Sequence, residues 1–551
     1  MEPKISRFDN YTPILVFILL CVLITQAVSS MSIKSPTYDE PYHLTSGYLS
    51  LAKQNYRYGA DHPPLIKSFA ALPLLFLDLR LPKNYSKLME QPWPVLGKQF
   101  LFQPQNNVDQ IVFLSRIPIV FLSSLLGFYV FLWAKKLYGD KAGVLALILY
   151  VFSPNILAQS RLVTTDLGVT CFMFIACYYF WAYMKDASFR TLCLAGLFSG
   201  LALVSKFSAL ILFPIFFLAA CTWLLTTYTP LRQDRPNCRE ECKPARTART
   251  FCLHASIFST IILGVIFVVY GMDLDFIDHY NAGLDRLQKM YFENEGPRLY
   301  YLMGTFFTEP AWFYPIVVFL VKTPVPILIL LVWSAMLRRR AGVNLFNESC
   351  LLIPVALIAI SSFSDPEHTG IRRILPIYPF LFVLIARVVM ATEKLNSSVF
   401  KKKASSYVLA ILVTWCLVTS IKNYPDYLTY FNEVAGGPKN GIHYLDNANL
   451  DWGQDLKRLK PFMDQQGIEK IKLMYEGQAD SNYYKIPTEE LTAEDRFFGP
   501  QSGYYAISAH YLIRLRTIPT AFGYGIAWKE KKFEPIAVIG HTIYIFNFDT
   551  S

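Results

Sequence analysis

The sequence predicts a polytopic α-helical membrane protein of about 11 spans, with a small C-terminal extracytoplasmic α/β domain. Of the 551 residues, 53% are hydrophobic, 15% are aromatic and only 17% are charged. An ordinary soluble domain carries about 25% charged residues. Apolar runs such as 111–133, 207–225 and 313–337 approach or exceed the roughly 18–20 residues that cross a bilayer. This composition excludes a disordered chain and disfavours a soluble enzyme.

The predicted spans alternate with short links, and the basic residues collect in every second link. Spans are expected near 13–31, 111–134, 142–158, 167–184, 192–205, 207–226, 252–272, 313–337, 350–363, 374–391 and 405–421. The links after the second, fourth, sixth, eighth and tenth spans are basic, and the positive-inside rule places them in the cytoplasm. The net charge of +11 is therefore explained by topology and does not indicate a nucleic-acid surface.

Residues 32–110, 159–166, 273–311, 364–373 and everything after about 422 then lie on the outer side. This side is the periplasm in a bacterium and the ER lumen in a eukaryote. The first span is read as an uncleaved anchor, with a signal peptide as the alternative. Neither the ten cysteines nor their positions indicate a disulfide framework.

The last 120 residues or so have ordinary polarity and read as a separate α/β unit. Residues 451–466 form an amphipathic pattern that Pro461 is expected to interrupt. Residues 471–475 and 504–508 read as strands, and 536–548 as a hairpin that turns at Gly540 and His541. We therefore divide the chain into a transmembrane domain, 1–425, and an extracytoplasmic domain, 426–551.

The first outer loop, 32–110, contains two clusters of chemically active side chains. Pro41 suits the first turn of a helix, so Asp39 or Glu40 is expected at its N-cap. An ionised carboxylate there can act as a general base for a hydroxyl, although plain helix capping is the ordinary alternative. Further on, Pro64 can start a helix that carries Lys67, with His62 beside it, which predicts an anion site or a simple proline turn.

Further charges border other spans on the same outer side. They are Asp166, Lys206 and the Arg372–Arg373 pair. A single ionisable residue at the edge of a span is usually an interface anchor. Two acids and several bases on one face instead indicate a site for an anionic substrate.

These motifs resemble those of a known family. The sequence Tyr-Asp-Glu-Pro-Tyr-His at 38–43, followed by His-Pro-Pro-Leu-Ile-Lys at 62–67, is similar to the first lumenal loop of protein O-mannosyltransferases. It also resembles that loop in bacterial transferases that add aminoarabinose to lipid A. Segments 161–166, 200–206 and 372–379 resemble later motifs of the same GT-C glycosyltransferases. The resemblance spans roughly 10–425, and the chain lacks room for the β-trefoil domain of the eukaryotic members.

The resemblance implies a mannosyltransferase-like enzyme that uses a polyprenyl-phosphate sugar as donor. Asp39 would be the base for the acceptor hydroxyl and Glu40 would support it, with inversion at the anomeric carbon. The departing lipid phosphate would be stabilised by cationic or polar side chains, namely His62, Lys67, Lys206 and Arg372. Asp166 and His43 would hold either a divalent metal or the donor sugar. Tyr291 and Arg298, in the outer loop 273–311, are expected to belong to a lid.

Two other classes of protein stay open at this point. A transporter or flippase for an anionic lipid-linked substrate would explain Lys322, which lies inside the eighth predicted span. A membrane-anchored binding protein would place the function in the C-terminal domain. The preferred reading is a glycosyltransferase that acts in protein glycosylation or glycolipid assembly. We expect it in the bacterial inner membrane rather than in the ER. The sequence encodes neither the sugar nor the acceptor.

Overall fold

The computed structural model describes residues 7–91, 94–228, 248–292, 299–309, 311–338, 344–364, 369–393, 399–530 and 533–548. Its helices, in chain order, are α1 (Arg7–Met31), α2 (Glu40–Lys53), α3 (Leu65–Ala71), α4 (Tyr85–Leu88), α5 (Pro94–Leu101), α6 (Val108–Tyr138), α7 (Asp140–Val151), α8 (Pro154–Gln159), α9 (Thr165–Asp186), α10 (Phe189–Leu203), α11 (Leu212–Tyr228), α12 (Ala248–Val269), α13 (Phe276–Phe292), α14 (Tyr314–Lys322), α15 (Val325–Met336), α16 (Leu345–Phe363), α17 (Ile371–Ile374), α18 (Ile377–Glu393), α19 (Val399–Lys422), α20 (Leu459–Gln466), α21 (Ala493–Phe497), α22 (Ala509–Thr517) and α23 (Ala527–Glu530). Its strands are β1 (Tyr300–Leu302), β2 (Thr305–Phe307), β3 (Ile471–Met474), β4 (Thr488–Glu489), β5 (Gly503–Ser508), β6 (Ala537–Ile539) and β7 (Ile543–Phe548).

The predicted membrane class is confirmed by long apolar helices. Within the described residues, seven helices are long and apolar enough to cross a bilayer, and α14 with α15 forms an eighth candidate bent by 107°. The predicted spans near 142–158, 192–205 and 374–391 coincide with shorter helices, among them α7, α10 and α18. The expectation of about 11 spans therefore stays a prediction, because three of them depend on helices below full bilayer length.

The first outer loop folds into short helices that pack closely on one another. Helix α2 crosses α3 at Gly47, where an added Cβ would lie 2.0 Å from the Lys67 carbonyl oxygen. Only glycine allows the two backbones to approach this closely. The contact brings the N-terminal half of α2 beside the His62–Lys67 segment, which the sequence separates by about twenty residues.

Residues 459–548 contain a mixed five-stranded sheet of order β4-β3-β5-β7-β6. Strand β3 pairs in parallel with β4 and β5, whereas β7 is antiparallel to both β5 and β6. The predicted strands at 471–475 and 504–508 and the hairpin at 536–548 all lie in this sheet. Gly540 and His541, at the hairpin turn, have φ of +59° and +63°. The predicted amphipathic helix is shorter than expected, because the part before Leu459 forms a loop and one 3-10 turn.

The chain between α19 and α20 packs against the first outer loop rather than forming a free linker. Lys34 makes ion pairs with Asp426 and, at 2.6 Å, with Asp455. The Ser35 amide donates to the Gln454 carbonyl at 3.0 Å. Both segments are therefore on the same side of the membrane, as the charge pattern predicts. The division at 425/426 stays a prediction, since the segment on its C-terminal side is packed into the transmembrane part.

Candidate functional site

The candidate site is centred on Arg372, which lies between two carboxylates from distant parts of the chain. Its Nη1 donates to Asp39 Oδ2 at 2.9 Å, and its Nε donates to Asp166 Oδ2 at 2.7 Å. Asp39 is the residue before α2, and its side chain makes no capping hydrogen bond to that helix within the described residues. The carboxylate is used for the contact with Arg372 instead. It keeps about 20% of its surface exposed, whereas Asp166 keeps 1%.

Asp166 holds two cations in place. It lies in the first turn of α9, and its Oδ1 accepts from Lys206 Nζ at 2.7 Å. Lys206 follows α10, where an extended residue separates that helix from a 3-10 turn. Because each oxygen of Asp166 accepts from a different cation, the buried negative charge is compensated on both sides. This arrangement fixes Lys206 and Arg372 at one edge of the site.

Trp452 and Asn449 hold Arg372 from the C-terminal side. The Arg372 guanidinium lies 4.2 Å from the centre of the Trp452 ring, a cation–π geometry. The Trp452 carbonyl accepts from the amide of Tyr38, the residue before Asp39, at 2.9 Å. Asn449 Oδ1 accepts from the Ile371 amide at 3.0 Å. The same short segment therefore contacts Arg372 directly and also the backbone of the residue before Asp39.

Both histidines of the first outer loop lie close to this centre and are neutral. Their rings are 5.6 Å apart. Burial lowers the pKa of His62 well below its usual value, and the nearby Lys206 and Lys67 lower it further. The pKa of His43 is also well below its usual value, because of burial and then of His62 and Lys67. A neutral imidazole offers one N–H donor to a ligand instead of a positive charge.

Lys67 is placed away from the phosphate role that the resemblance implies. It is 2% exposed, and its ammonium donates to the carbonyls of Gly59 at 2.5 Å and His62 at 2.6 Å. Burial lowers its pKa to about 8. These contacts make Lys67 the support of the loop that carries His62.

Glu40 is likewise placed away from the cleft, although it is next to Asp39. It is fully buried and bonds Arg116 through both oxygens, at 2.6 and 2.8 Å. It also accepts from the amides of Thr37 and Val163. Contact with Arg116 and these amides outweighs desolvation and lowers the pKa of Glu40. With five donors around it, the Thr37 hydroxyl included, Glu40 supports Asp39 by fixing the start of α2.

A cavity of about 230 Å³ opens beside the Asp166–Arg372 pair. One wall is basic or hydroxylic and the other is apolar. Its polar lining consists of Asp166, Lys206, Ser208, Ser361, Ser362, Ser364, Arg372 and Arg373. Its apolar lining consists of Val169, Met173, Ile211, Ile358 and Pro376. A molecule with an anionic head and a hydrocarbon tail matches both walls.

The donor set does not fit a divalent metal held by Asp166 with Asp39 or His43. Arg372 lies between the two carboxylates, and Lys206 occupies the remaining oxygen of Asp166. A divalent cation would have to displace both positive side chains from the same ligands. Within the described residues, there is also no group of three His, Cys, Asp or Glu side chains suited to a metal.

The predicted lid falls largely outside the described residues. Arg298 is one of the residues that the structure does not describe, and Tyr291 belongs to α13, with its side chain outside the described part. Elsewhere on α13, Tyr280 packs edge-to-face on Phe207, at 5.0 Å between ring centres. The role of Tyr291 and Arg298 as a lid stays a prediction.

Three residues of the site were not singled out by the sequence as functional: Arg116, Asn449 and Trp452. Arg116 gave a signal, since it is a cation inside a long apolar run. The other two come from the C-terminal segment, where polar residues are ordinary. Nothing in their spacing indicates that Asn449 meets the Ile371 amide or that Trp452 meets a loop more than 400 residues earlier.

The middle of the transmembrane part matches a protein family. Residues 109–233 match the family model described as dolichyl-phosphate-mannose-protein mannosyltransferase. The resemblance is confirmed for this segment. It includes Asp166 and Lys206 of the candidate site, as well as Arg116. Among curated proteins, none matches the sequence significantly.

The fold is similar to solved structures of membrane glycosyltransferases. ArnT from Cupriavidus metallidurans in the apo state is 12% identical, with 98% of each chain covered and a TM-score of 0.47. Its structure bound to undecaprenyl phosphate is also 12% identical, with 96% of this chain and 97% of that chain covered and a TM-score of 0.46. The Archaeoglobus fulgidus oligosaccharyltransferase is 12% identical, with 91% of this chain and 68% of that chain covered and a TM-score of 0.44. At identities and TM-scores this low, the functional residues of those proteins cannot be assigned to positions in this chain.

Proposed function

We propose that this protein is a multi-pass membrane glycosyltransferase that moves a sugar from a polyprenyl-phosphate donor to a hydroxyl acceptor on the outer face. The observation that carries the proposal is the position of Arg372. It joins an exposed carboxylate, Asp39, to a cavity with a cationic wall and an apolar wall. The family match over residues 109–233 supports the same class of reaction.

The cavity suits the donor. The phosphate would lie against Lys206, Arg372 and Arg373, and the first isoprene units against the apolar wall from α9 and α16. Neutral His62 would donate a hydrogen bond near the same phosphate. As the bond between the anomeric carbon and the phosphate oxygen breaks, its electron pair moves onto the phosphate, and the two positive charges stabilise that developing anion.

Asp39 is the residue placed to activate the acceptor. Its carboxylate would take the proton of the acceptor hydroxyl while the hydroxyl oxygen attacks the anomeric carbon from the side opposite the phosphate. This direct displacement inverts the anomeric configuration. Asp166 keeps 1% of its side chain exposed and Glu40 none, whereas Asp39 keeps about 20%, so Asp39 is the carboxylate that an acceptor hydroxyl can reach.

Replacing Asp39 by Asn tests this assignment. Loss of a general base is expected to lower sugar transfer by roughly 10²- to 10⁴-fold, whereas undecaprenyl phosphate still binds. The measurement is transfer of radiolabelled sugar from a panel of polyprenyl-phosphate sugars to membrane extracts, with Asp78→Asn as control, since Asp78 is an exposed carboxylate of the same loop. Equal transfer by wild type and Asp39→Asn would reject Asp39 as the base.

The position of Lys322 removes the main support for the transporter alternative. This lysine, at the bend between α14 and α15, donates to the carbonyls of Leu428 at 2.9 Å and Asn449 at 2.6 Å. It therefore tethers the segment that holds Arg372 and does not line a transport path. The chemistry of the cavity suits both a periplasmic and a lumenal site. We propose the bacterial inner membrane, since the outer loop 273–311 is too short to hold a β-trefoil domain.

A further inference from the structure

A second, larger cavity lies on the outer surface, between the first outer loop and the C-terminal segment. It has a volume of about 520 Å³ and runs between α5 and the loop that follows β3. Side-chain amides dominate its polar lining, and one aromatic ring lines it as well. The residues that matter here are Lys98, Gln99, Phe102, Gln103, Gln478 and Asp480. We call this cavity the amide groove.

The amide groove is connected to Tyr38, the residue before Asp39, by one hydrogen bond. The Gln478 side chain bonds the hydroxyl of Tyr38, and Tyr38 directly precedes Asp39. Burial raises the pKa of Tyr38, and the negative charge of Glu476 raises it further, so the phenol stays protonated. The Gln478 amide and the Tyr38 phenol therefore link the groove to the segment of chain that carries Asp39.

The charges on the two sides of Asp39 differ. The donor cavity presents Lys206, Arg372 and Arg373, whereas the amide groove presents one lysine, Lys98, and one aspartate, Asp480. Glu476, beside Tyr38, adds a further negative charge on the groove side. A phosphorylated acceptor would meet two acids on this side, Glu476 and Asp480, and would find a single lysine as counter-ion.

The groove chemistry matches a neutral, hydroxyl-rich chain. A side-chain amide offers both a donor and an acceptor, which suits adjacent hydroxyls of a sugar ring. The ring of Phe102, packed edge-to-face against Tyr483 at 5.7 Å, offers an apolar surface of the kind on which sugar faces rest. Three glutamines and one aromatic ring in its lining make this surface distinct from the basic donor cavity.

We propose that the amide groove is the acceptor subsite of this enzyme and that it binds an uncharged glycan, one hydroxyl of which reaches Asp39. The inference rests on the proposed function, since it names the acceptor of that same reaction. It separates this chain from transferases whose acceptors carry phosphate groups. Gln99, Gln103 and Gln478 would be acceptor-binding residues rather than catalytic ones.

The test uses the full-length protein in detergent with the polyprenyl-phosphate sugar that it consumes. Three acceptors are compared: mannotriose, a Ser/Thr peptide and bisphosphorylated lipid A. Label is expected in mannotriose, with an acceptor KM that rises roughly 10- to 30-fold in Gln99→Ala/Gln103→Ala, because two hydrogen bonds are lost. Gln466→Ala is the matched control, since Gln466 is an exposed glutamine at the end of α20.

Each of the other outcomes would reject one part of the inference: the glycan acceptor, the groove as its binding site, or the proposed function. Label in the peptide alone or in lipid A alone would reject a glycan acceptor. An unchanged mannotriose KM in Gln99→Ala/Gln103→Ala would reject the groove as the subsite. Donor hydrolysis without label in any acceptor would also reject the glycan while leaving the transferase intact. Absence of both donor binding and donor consumption by the wild type would instead reject the proposed function itself.

Discussion

At the scale of single residues, Asp39 and Glu40 show how neighbours in sequence are given different tasks. The helix that begins at Glu40 turns the two side chains in different directions. Glu40 enters the protein and meets Arg116, whereas Asp39 remains partly exposed and meets Arg372. The motif indicates two acids, and only the packing around them decides which one faces a substrate.

The Glu40–Arg116 pair leads to a stability prediction. In Glu40→Gln the Arg116 charge stays buried without its partner, which is expected to destabilise the protein by about 3–5 kcal/mol. Thermal unfolding in detergent measures the change, and Glu469→Gln, at an exposed site, is the control. Glu40→Gln/Arg116→Met, which removes both charges, should recover part of the loss. A Glu40→Gln protein that unfolds like the wild type but no longer transfers sugar would instead assign Glu40 a direct part in the reaction.

At the scale of elements, the segment that contains Asn449 and Trp452 positions the Asp39–Arg372 pair. We call this segment the bracket. It contacts α17 through the Ile371 amide and the start of α2 through the Tyr38 amide. Gly370 makes this approach possible, because its φ is +74° and an added Cβ would lie 2.0 Å from Asn449 Oδ1. The bracket explains how a remote tail sets the geometry of a membrane site.

Replacing Trp452 tests the bracket. Trp452→Ala removes the ring on which Arg372 lies, so the guanidinium is expected to leave its position between Asp39 and Asp166. We expect kcat to fall roughly 10-fold, in line with a cation–π contribution of about 0.5–2 kcal/mol, while the donor KM changes much less. Trp452→Phe keeps an aromatic face and should restore most of kcat. Equal kcat values for Trp452→Ala and Trp452→Phe would show that the ring does not position Arg372.

At the scale of the whole molecule, buried ionisable groups link the site to global stability. His43 and His62 are buried in the first outer loop, and the charged groups that face them are Lys67, Lys206, Arg372, Asp61 and Asp166. The summed effect of burial and these neighbours keeps both rings neutral. The folded state is therefore most stable at a pH at which histidine is neutral in the unfolded chain as well.

This dependence predicts a loss of stability in mild acid. The folded pKa values of both histidines are lowered, so the unfolded chain binds protons first as the pH falls below about 6.5. Stability that is present above pH 6.5 is then lost as the pH falls, by up to about 1.4 kcal/mol per pH unit for each group. Unfolding temperatures measured between pH 5.5 and 8 should fall less steeply in His62→Asn than in wild type. His443→Asn, at an exposed histidine, should follow the wild type, and a slope shared by all three proteins would contradict the prediction.

Much of the architecture could be predicted from the sequence, because it depends on local chemistry. Apolar runs predict the membrane class, and alternation predicts β3, β5 and the β6–β7 hairpin, since side-chain periodicity is a property of neighbouring residues. The N-cap position of Asp39 and the helix start at Pro64 follow from proline stereochemistry in the same way. The grouping of Asp39, Asp166, Lys206 and Arg372 on one side followed from topology.

Only the tertiary structure decided which residues do what. Lys67 and Lys322 are used to tether loops, and Glu40 is used to compensate Arg116. The partners of Lys322 and Glu40 are far away in the chain, whereas Lys67 binds carbonyls five and eight residues before it. Trp452 reaches Arg372 across 80 residues and the Tyr38 amide across more than 400. By itself, the sequence determined the class of protein and indicated a set of candidate site residues. Their roles depend on long-range packing, which determines the burial, orientation and counter-charge of each side chain and leaves no periodic signal in a single sequence.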